Sequence, residues 1–191
     1  MNDAYWKKVE KELGDKKKAG MPRITVRYEG LFDFDGLYAA IIDWTKNYGY
    51  QWHEQDYKHK VPSPKGAEQE FKWLITKRIT EFVSYEILFT VHVWDLVEVE
   101  VDVNGKKKAL SNAHLYIWMD GKIHYDWQNK FSKGGKLGQW LGRMYFKALK
   151  AQIDSYQDQL LYRMWNLQAI MKEYFDLQTK KFSYKGYLGE N

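Results

Sequence analysis

Hydrophobic positions along this chain follow two periods, and the switches between them mark out its elements. Ile24, Val26 and Tyr28 alternate with Thr25, Arg27 and Glu29, the period-two pattern of a strand with one buried face. The spacing then lengthens: Leu37, Ile41, Trp44 and Tyr48 fall on one face of a helix, with Tyr38 and Ile42 alongside. Asp33 or Asp35 can cap its start by accepting hydrogen bonds from free N–H groups. Gly49 stands where a left-handed residue would end it. Residues 50–61 are polar and aromatic and read as an edge strand. Val61-Pro62-Ser63-Pro64-Lys65-Gly66 reads as a loop, because proline removes ladder donors.

Period two returns in the centre. Phe71, Trp73, Ile75 and Ile79 alternate with mostly polar partners. Val83, Tyr85, Ile87, Phe89, Val91 and Val93 continue on odd positions, followed by Val97, Val99, Val101 and Val103, while Glu98, Glu100 and Asp102 face the other way. Asn104-Gly105 is a preferred hairpin turn, since both residue types tolerate positive φ, and Asp120-Gly121 reads as a second. Strands at about 107–119 and 122–128 complete a meander. These turns place Val93 opposite Tyr116 and Tyr116 opposite Tyr125, Val91 opposite Trp118, and His114 between Asp95 and Trp127. The resulting aromatic face needs a cover.

The cover comes next in the chain. Tyr145, Leu149, Ile153, Tyr156, Leu160, Met164, Leu167 and Met171 recur at spacings of three and four, with no glycine or proline across 143–185. A single helix over 136–178 would be roughly 63 Å long at about 1.5 Å per residue. Such a helix either breaks near Asp154-Ser155 or projects to meet a partner. At the other end, residues 3–18 read as a charged helix with a thin stripe of Tyr5, Trp6, Val9 and Leu13.

Composition narrows the function classes. Cysteine is absent from the 191 residues, which excludes disulfides, thiolate metal sites and cysteine nucleophiles. Aromatic residues make up 17%, enough to fill a core or to line a pocket. The formal charge of +5 is modest, yet it is unevenly spread. Between Trp127 and Ile153 lie Lys130, Lys133, Lys136, Arg143, Lys147 and Lys150 without one acid, interleaved with Trp140, Tyr145 and Phe146. Lys133, Lys136, Arg143 and Lys147 are therefore the candidate anion-binding residues, for a head group, a membrane surface or nucleic-acid phosphate. A basic solvated helix face is the alternative. No eighteen-residue apolar run and no signal-peptide pattern occurs, so a cytoplasmic protein is expected.

Several chemistries find little footing. Lys133-Gly134-Gly135-Lys136-Leu137-Gly138 lacks the spacing and hydroxyl of a phosphate-binding loop. The register sets His92 and His124 two strands apart, roughly 10 Å, with His114 on the opposite face, and no HExxH pattern exists. No metal and no cofactor is expected. Glu54 and Asp56 share a strand face about 7 Å apart but sit among lysines. Asp95 with His114 is the one acid–base pair the register brings together, either as a general base or as a hydrogen-bonded pair at a strand bend.

A strand, a helix, a long antiparallel meander and a final long helix resemble, in element order, the helix-grip architecture of the START-like, Bet v 1-type superfamily over residues 23–178. The order departs in having one helix, not two, after the first strand, and an extra N-terminal helix. The resemblance implies an apolar ligand held between curved sheet and final helix. The expectation is thus an α+β fold: a sheet of about six antiparallel strands covered by a long C-terminal helix. Residues 1–20 form an extension, 21–179 the domain and 180–191 a tail. Tyr85, Phe89, Tyr116, Trp118, Tyr125, Trp127 and Met164 either line a pocket or fill the core. The leading function is non-enzymatic binding of a hydrophobic or amphipathic, lipid-like molecule. Self-association or docking through the terminal helices is the second reading, and a peripheral nucleic-acid or ribosome contact the third.

Overall fold

The computed structural model describes residues 18–63, 66–103 and 106–175. In chain order these residues form β1 (Lys18–Gly20), β2 (Ile24–Phe32), α1 (Phe34–Asn47), β3 (Gln51–Ser63), β4 (Gly66–Arg78), β5 (Val83–Val103) and β6 (Lys106–Tyr125). A 3-10 turn (Ser132–Gly134), α2 (Gly135–Ala148) and α3 (Lys150–Tyr174) follow. The fold is α+β, a six-stranded antiparallel sheet in the order β1-β6-β5-β4-β3, with β2 beside β1 on the same edge of β6. The expected N-terminal helix and C-terminal tail lie outside the described residues, except that Lys18 belongs to a strand.

Local chemistry explains α1. Asp33 takes the N-cap position and accepts from the Gly36 N–H at 2.9 Å, and Gly49 adopts φ 67 just beyond the helix. Leu37, Ile41 and Trp44 point into the core. Trp44 Nε1 donates to Asn166 Oδ1 of α3 at 2.6 Å, a buried bond that pins one helix to the other. The loop expected at 61–66 is tighter than its prolines suggest. The edge strand β3 runs through Pro62, and Ser63 pairs with Gly66.

The long hairpin departs from the expected register by one residue, and the consequences are large. At its tip Val103 pairs with Lys106, as the Asn104-Gly105 turn requires, though that turn itself lies outside the described residues. Pairing holds to Val97 with Asn112, then shifts, so that Trp94 pairs with His114 and Val93 with Leu115. Asp95 sits in this bulge in a left-handed conformation, φ 53. A bulge adds one unpaired residue, so every later side chain changes faces. Leu115, Ile117 and Met119 therefore face the core, and Tyr116 and Trp118 project from the opposite face, beside Arg27 and His92. On the tip side of the bulge both faces of the hairpin are open: Val97, Glu98, Val99 and Glu100 are all exposed.

Asp120-Gly121 is not a turn. β6 runs through it: Asp120 pairs with Leu88 and Gly121 with Ile87. Asp120 instead receives a two-pronged contact from Arg23, at 2.7 and 2.9 Å. The glycine is needed for close approach, since a Cβ there would lie 2.4 Å from Met164 Sδ on α3. The sheet's covered face meets α3 through Ile153, Leu160, Met164, Leu167 and Met171, all fully buried. The stretch 136–178, expected as one helix or as two in series with a break near Asp154-Ser155, is two helices meeting earlier, at Leu149.

Candidate functional site

The acid-free stretch is built from the end of β6 onward. Asp126 and Asn129 adopt φ 49 and φ 57, which turns the chain sharply at the sheet's end. The Asp126 N–H donates to the Phe82 carbonyl at 2.7 Å, and Asp126 Oδ1 accepts from the Phe131 N–H at 3.3 Å. Phe131 thereby becomes a fixed seat. Helix α2 rests on it through two glycines one turn apart. A Cβ at Gly138 would come within 2.3 Å of the Phe131 carbonyl oxygen, and one at Gly142 within 3.0 Å of Phe131 Cβ. Phe146, on the same side, meets Tyr125 edge-on at 5.3 Å. Tyr145 closes the cluster against Phe82 and Phe131, at 5.1 and 5.4 Å.

The far side of α2 is apolar and open. Leu137 is 68% exposed, Met144 52%, Trp140 51%, Leu141 46% and Tyr145 42%. Their spacings of three and four put all five on one stripe, about 140° wide at about 100° per residue. Lys136, Arg143 and Lys147 follow one another along one border of that stripe, and the glycine seat lies past the other. Trp140 stands at the cationic border, Tyr145 at the opposite one, with Leu137, Leu141 and Met144 between. Among the described residues Lys133, Lys136 and Arg143 are exposed and make no ion pair. Lys130, just upstream, contacts Glu81. Three of the four expected anion-binding residues thus share one helix border, and Lys133 sits in the turn before it.

The expected pocket residues divide. Tyr85, Phe89, Tyr125 and Met164 lie between sheet and α3, each almost fully buried. Phe89 stacks on Trp73 at 5.3 Å. The Tyr85 hydroxyl donates to the Tyr156 carbonyl, 2.8 Å away, and lies 3.1 Å from Gln159 Oε1. The Tyr125 hydroxyl accepts from Gln157 Nε2 at 2.9 Å. Burial pushes the Tyr85 phenol well above its ordinary value, so it stays a neutral donor. Tyr116 and Trp118 are not with these four. They lie on the opposite sheet face, 5.0 Å apart, with the Arg27 guanidinium 4.8 Å over the Tyr116 ring. Trp127 falls beyond β6, where its Nε1 donates to the Thr80 carbonyl at 2.9 Å and Arg78 covers its ring.

Asp95 and His114 do meet, but on solvent-facing surface and not on the core face. His114 Nε2 lies 3.9 Å from Asp95 Oδ2, its Nδ1 3.5 Å from Glu29 Oε2, and all three side chains are at least 45% exposed. His92 contacts Glu68 at 2.8 Å and stacks on Trp94; His124 lies 2.9 Å from Glu86. Among the described residues no three histidines or carboxylates converge on a point that would hold a metal ion, and no helix is long and apolar enough to cross a membrane. Comparison with protein families and with curated proteins finds no match.

By its spacing Tyr145 falls in with the stripe of a covering helix, or of two in series, whereas in the structure it stands at the edge of an open stripe. Two apolar phases overlap here: 137, 140, 141, 144 and 145 on one side, and 138, 142, 146 and 149 on the other. Over 135–148 the helix is thus apolar on more than the side it buries.

Proposed function

We propose that the protein is a non-enzymatic binding protein for an anionic amphiphile, and that α2 is its capture surface. The observation carrying this reading is the five-residue apolar stripe, open to solvent and bordered by Lys136, Arg143 and Lys147, in a stretch without acids. Exposed apolar area on this scale, on the order of 500 Å², lies at the upper end of what monomers leave uncovered, and such patches mark interaction sites. Cations at its border select for negative charge, while the stripe selects for a hydrocarbon portion. The side chains between sheet and α3 already contact one another, so the apolar part of the ligand is better placed on α2. Calorimetric titration with short-chain phosphatidylglycerol, kept monomeric, tests this against phosphatidylcholine of equal chain length. Binding of the anionic lipid alone is expected. No binding, or equal binding of both, would refute it.

A further inference from the structure

Resting on that reading, we infer that α2 meets its amphiphile as a surface: the helix lies in the plane of an anionic bilayer, with its stripe in the acyl boundary and its basic border at the lipid phosphates. The shape of the site carries the step. A single acyl chain is held by a concavity that surrounds it, and pockets bury most of their ligand's surface. The α2 stripe is the opposite, the crest of a helix. Its central residue Leu137 is two-thirds exposed, and Leu141 and Met144 are about half exposed. A crest presents hydrocarbon to a flat apolar medium and encloses nothing.

The pose is also fixed. Gly138 and Gly142 press on Phe131, and Phe146 is buried against Tyr125. The stripe therefore points outward without any opening step, and the helix is held at the body's edge and not inside it. The order of residues around the helix matches an interface in depth. Leucines and methionine occupy the middle. Trp140 and Tyr145, rings with an apolar body and a polar tip, stand at the two borders, the place such rings take at headgroup level. Lys136, Arg143 and Lys147 come next on one side, with stems long enough to lie along the crest while their charges stay in the headgroups. Leu137 to Tyr145 span about 12 Å at about 1.5 Å per residue, so the stripe lies on a membrane and cannot cross one.

Co-sedimentation of the full chain with large unilamellar vesicles tests the inference, using phosphatidylcholine alone and three parts phosphatidylcholine to one part phosphatidylglycerol. Binding to the anionic vesicles only is expected. Met144→Glu should abolish it. Lys136→Gln, Arg143→Gln and Lys147→Gln together should weaken it by on the order of a hundredfold, at about fivefold per cation. All these positions are exposed, so unchanged thermal unfolding confirms that the variants fold. Capture of monomeric phosphatidylglycerol without vesicle binding would overturn the bilayer inference and leave the binding function standing. Failure with both would overturn both. A dimer seen by light scattering and dissolved by Met144→Glu, with no vesicle binding, would assign the stripe to a second copy and overturn the inference. Binding to single-stranded RNA that survives Met144→Glu, with vesicles ignored, would overturn it equally.

Discussion

Gly121 decides between two accounts of the sheet. In the structure it lies within β6, paired with Ile87, and is not among the residues with positive φ. Its lack of a side chain serves Met164 of α3: a Cβ would lie 2.4 Å from the sulfur and 3.2 Å from Cε. Met164 is fully buried, so the thioether can retreat only by displacing packed neighbours. Gly121→Ala should therefore destabilise by about 1–3 kcal/mol, the usual cost of overpacking. Met164→Ala alone should cost about 2–5 kcal/mol through the cavity it opens. Combined, they should cost less than their sum, by about 0.5–3 kcal/mol, because the new methyl enters the space the thioether vacates. In the Met164→Ala background the remaining tight contact is Met21 Cβ at 3.3 Å, so the penalty of the alanine at 121 should fall close to zero. Urea unfolding of the four proteins, with unchanged m-values, measures the cycle. Additivity within about 0.5 kcal/mol would refute the reasoning. So would a Gly121→Ala penalty that stays undiminished without Met164, as a turn needing positive φ would give.

Three further outcomes follow from single contacts. Asn166→Ala removes the acceptor for buried Trp44 Nε1 and should cost about 1–3 kcal/mol of unfolding free energy, measured by denaturation. Asp33→Ala should cost about 0.5–2 kcal/mol by uncapping α1. The Lys108 ammonium, and after it the Gly36 N–H, hold the Asp33 carboxyl below its ordinary value of 3.8. Its ionised form thus adds stability that is complete above that value and lost as pH falls through the lower folded one. Asp33→Asn keeps a capping oxygen but not the charge, so its stability deficit should shrink on acidification below that range. A deficit constant with pH would refute the assignment. At the bulge, Asp95 holds φ 53. Asp95→Gly should be neutral or stabilising, while Asp95→Val should cost about 1–2 kcal/mol in thermal or urea unfolding.

How far the sequence shows this fold depends on which rule each element obeys. Strands and helices whose periodicity is strong, such as Ile24–Phe32 and Phe34–Asn47, are legible, as are a cap at Asp33 or Asp35, of which Asp33 takes the role, and the left-handed Gly49. Each is decided within a few residues. The covering of the sheet by a long C-terminal helix is legible too, because an apolar face and an apolar stripe must find each other. Glycine's two uses are not separable on sequence alone. Asp120-Gly121 has the composition of a hairpin turn, but its glycine serves a helix more than forty residues away. The bulge at Asp95 is harder still. Nothing in Trp94-Asp95-Leu96 fixes which residue drops out of the ladder, yet one unpaired position moves Tyr116 and Trp118 from the core face to the opposite face.

The cations of α2 are visible in the sequence, and its open stripe is not. Charge bias is additive along the chain, so an acid-free stretch is visible by counting. Burial is not additive: it depends on which of two apolar phases finds a partner. In α2 the partner is Phe131, held by the turn at Asp126 and Asn129, and it takes the side bearing Gly138, Gly142 and Phe146. The glycines, which lower helix propensity by about 1 kcal/mol each relative to alanine, are the residues that fit so close a seat. The larger apolar residues other than Phe146 are thereby left outside. A helix that buries two glycines and Phe146 and leaves five larger apolar residues open gains less from its own domain than its apolar content would allow. On the proposed reading that exposed side is buried against an anionic surface, which the row of cations along one border complements.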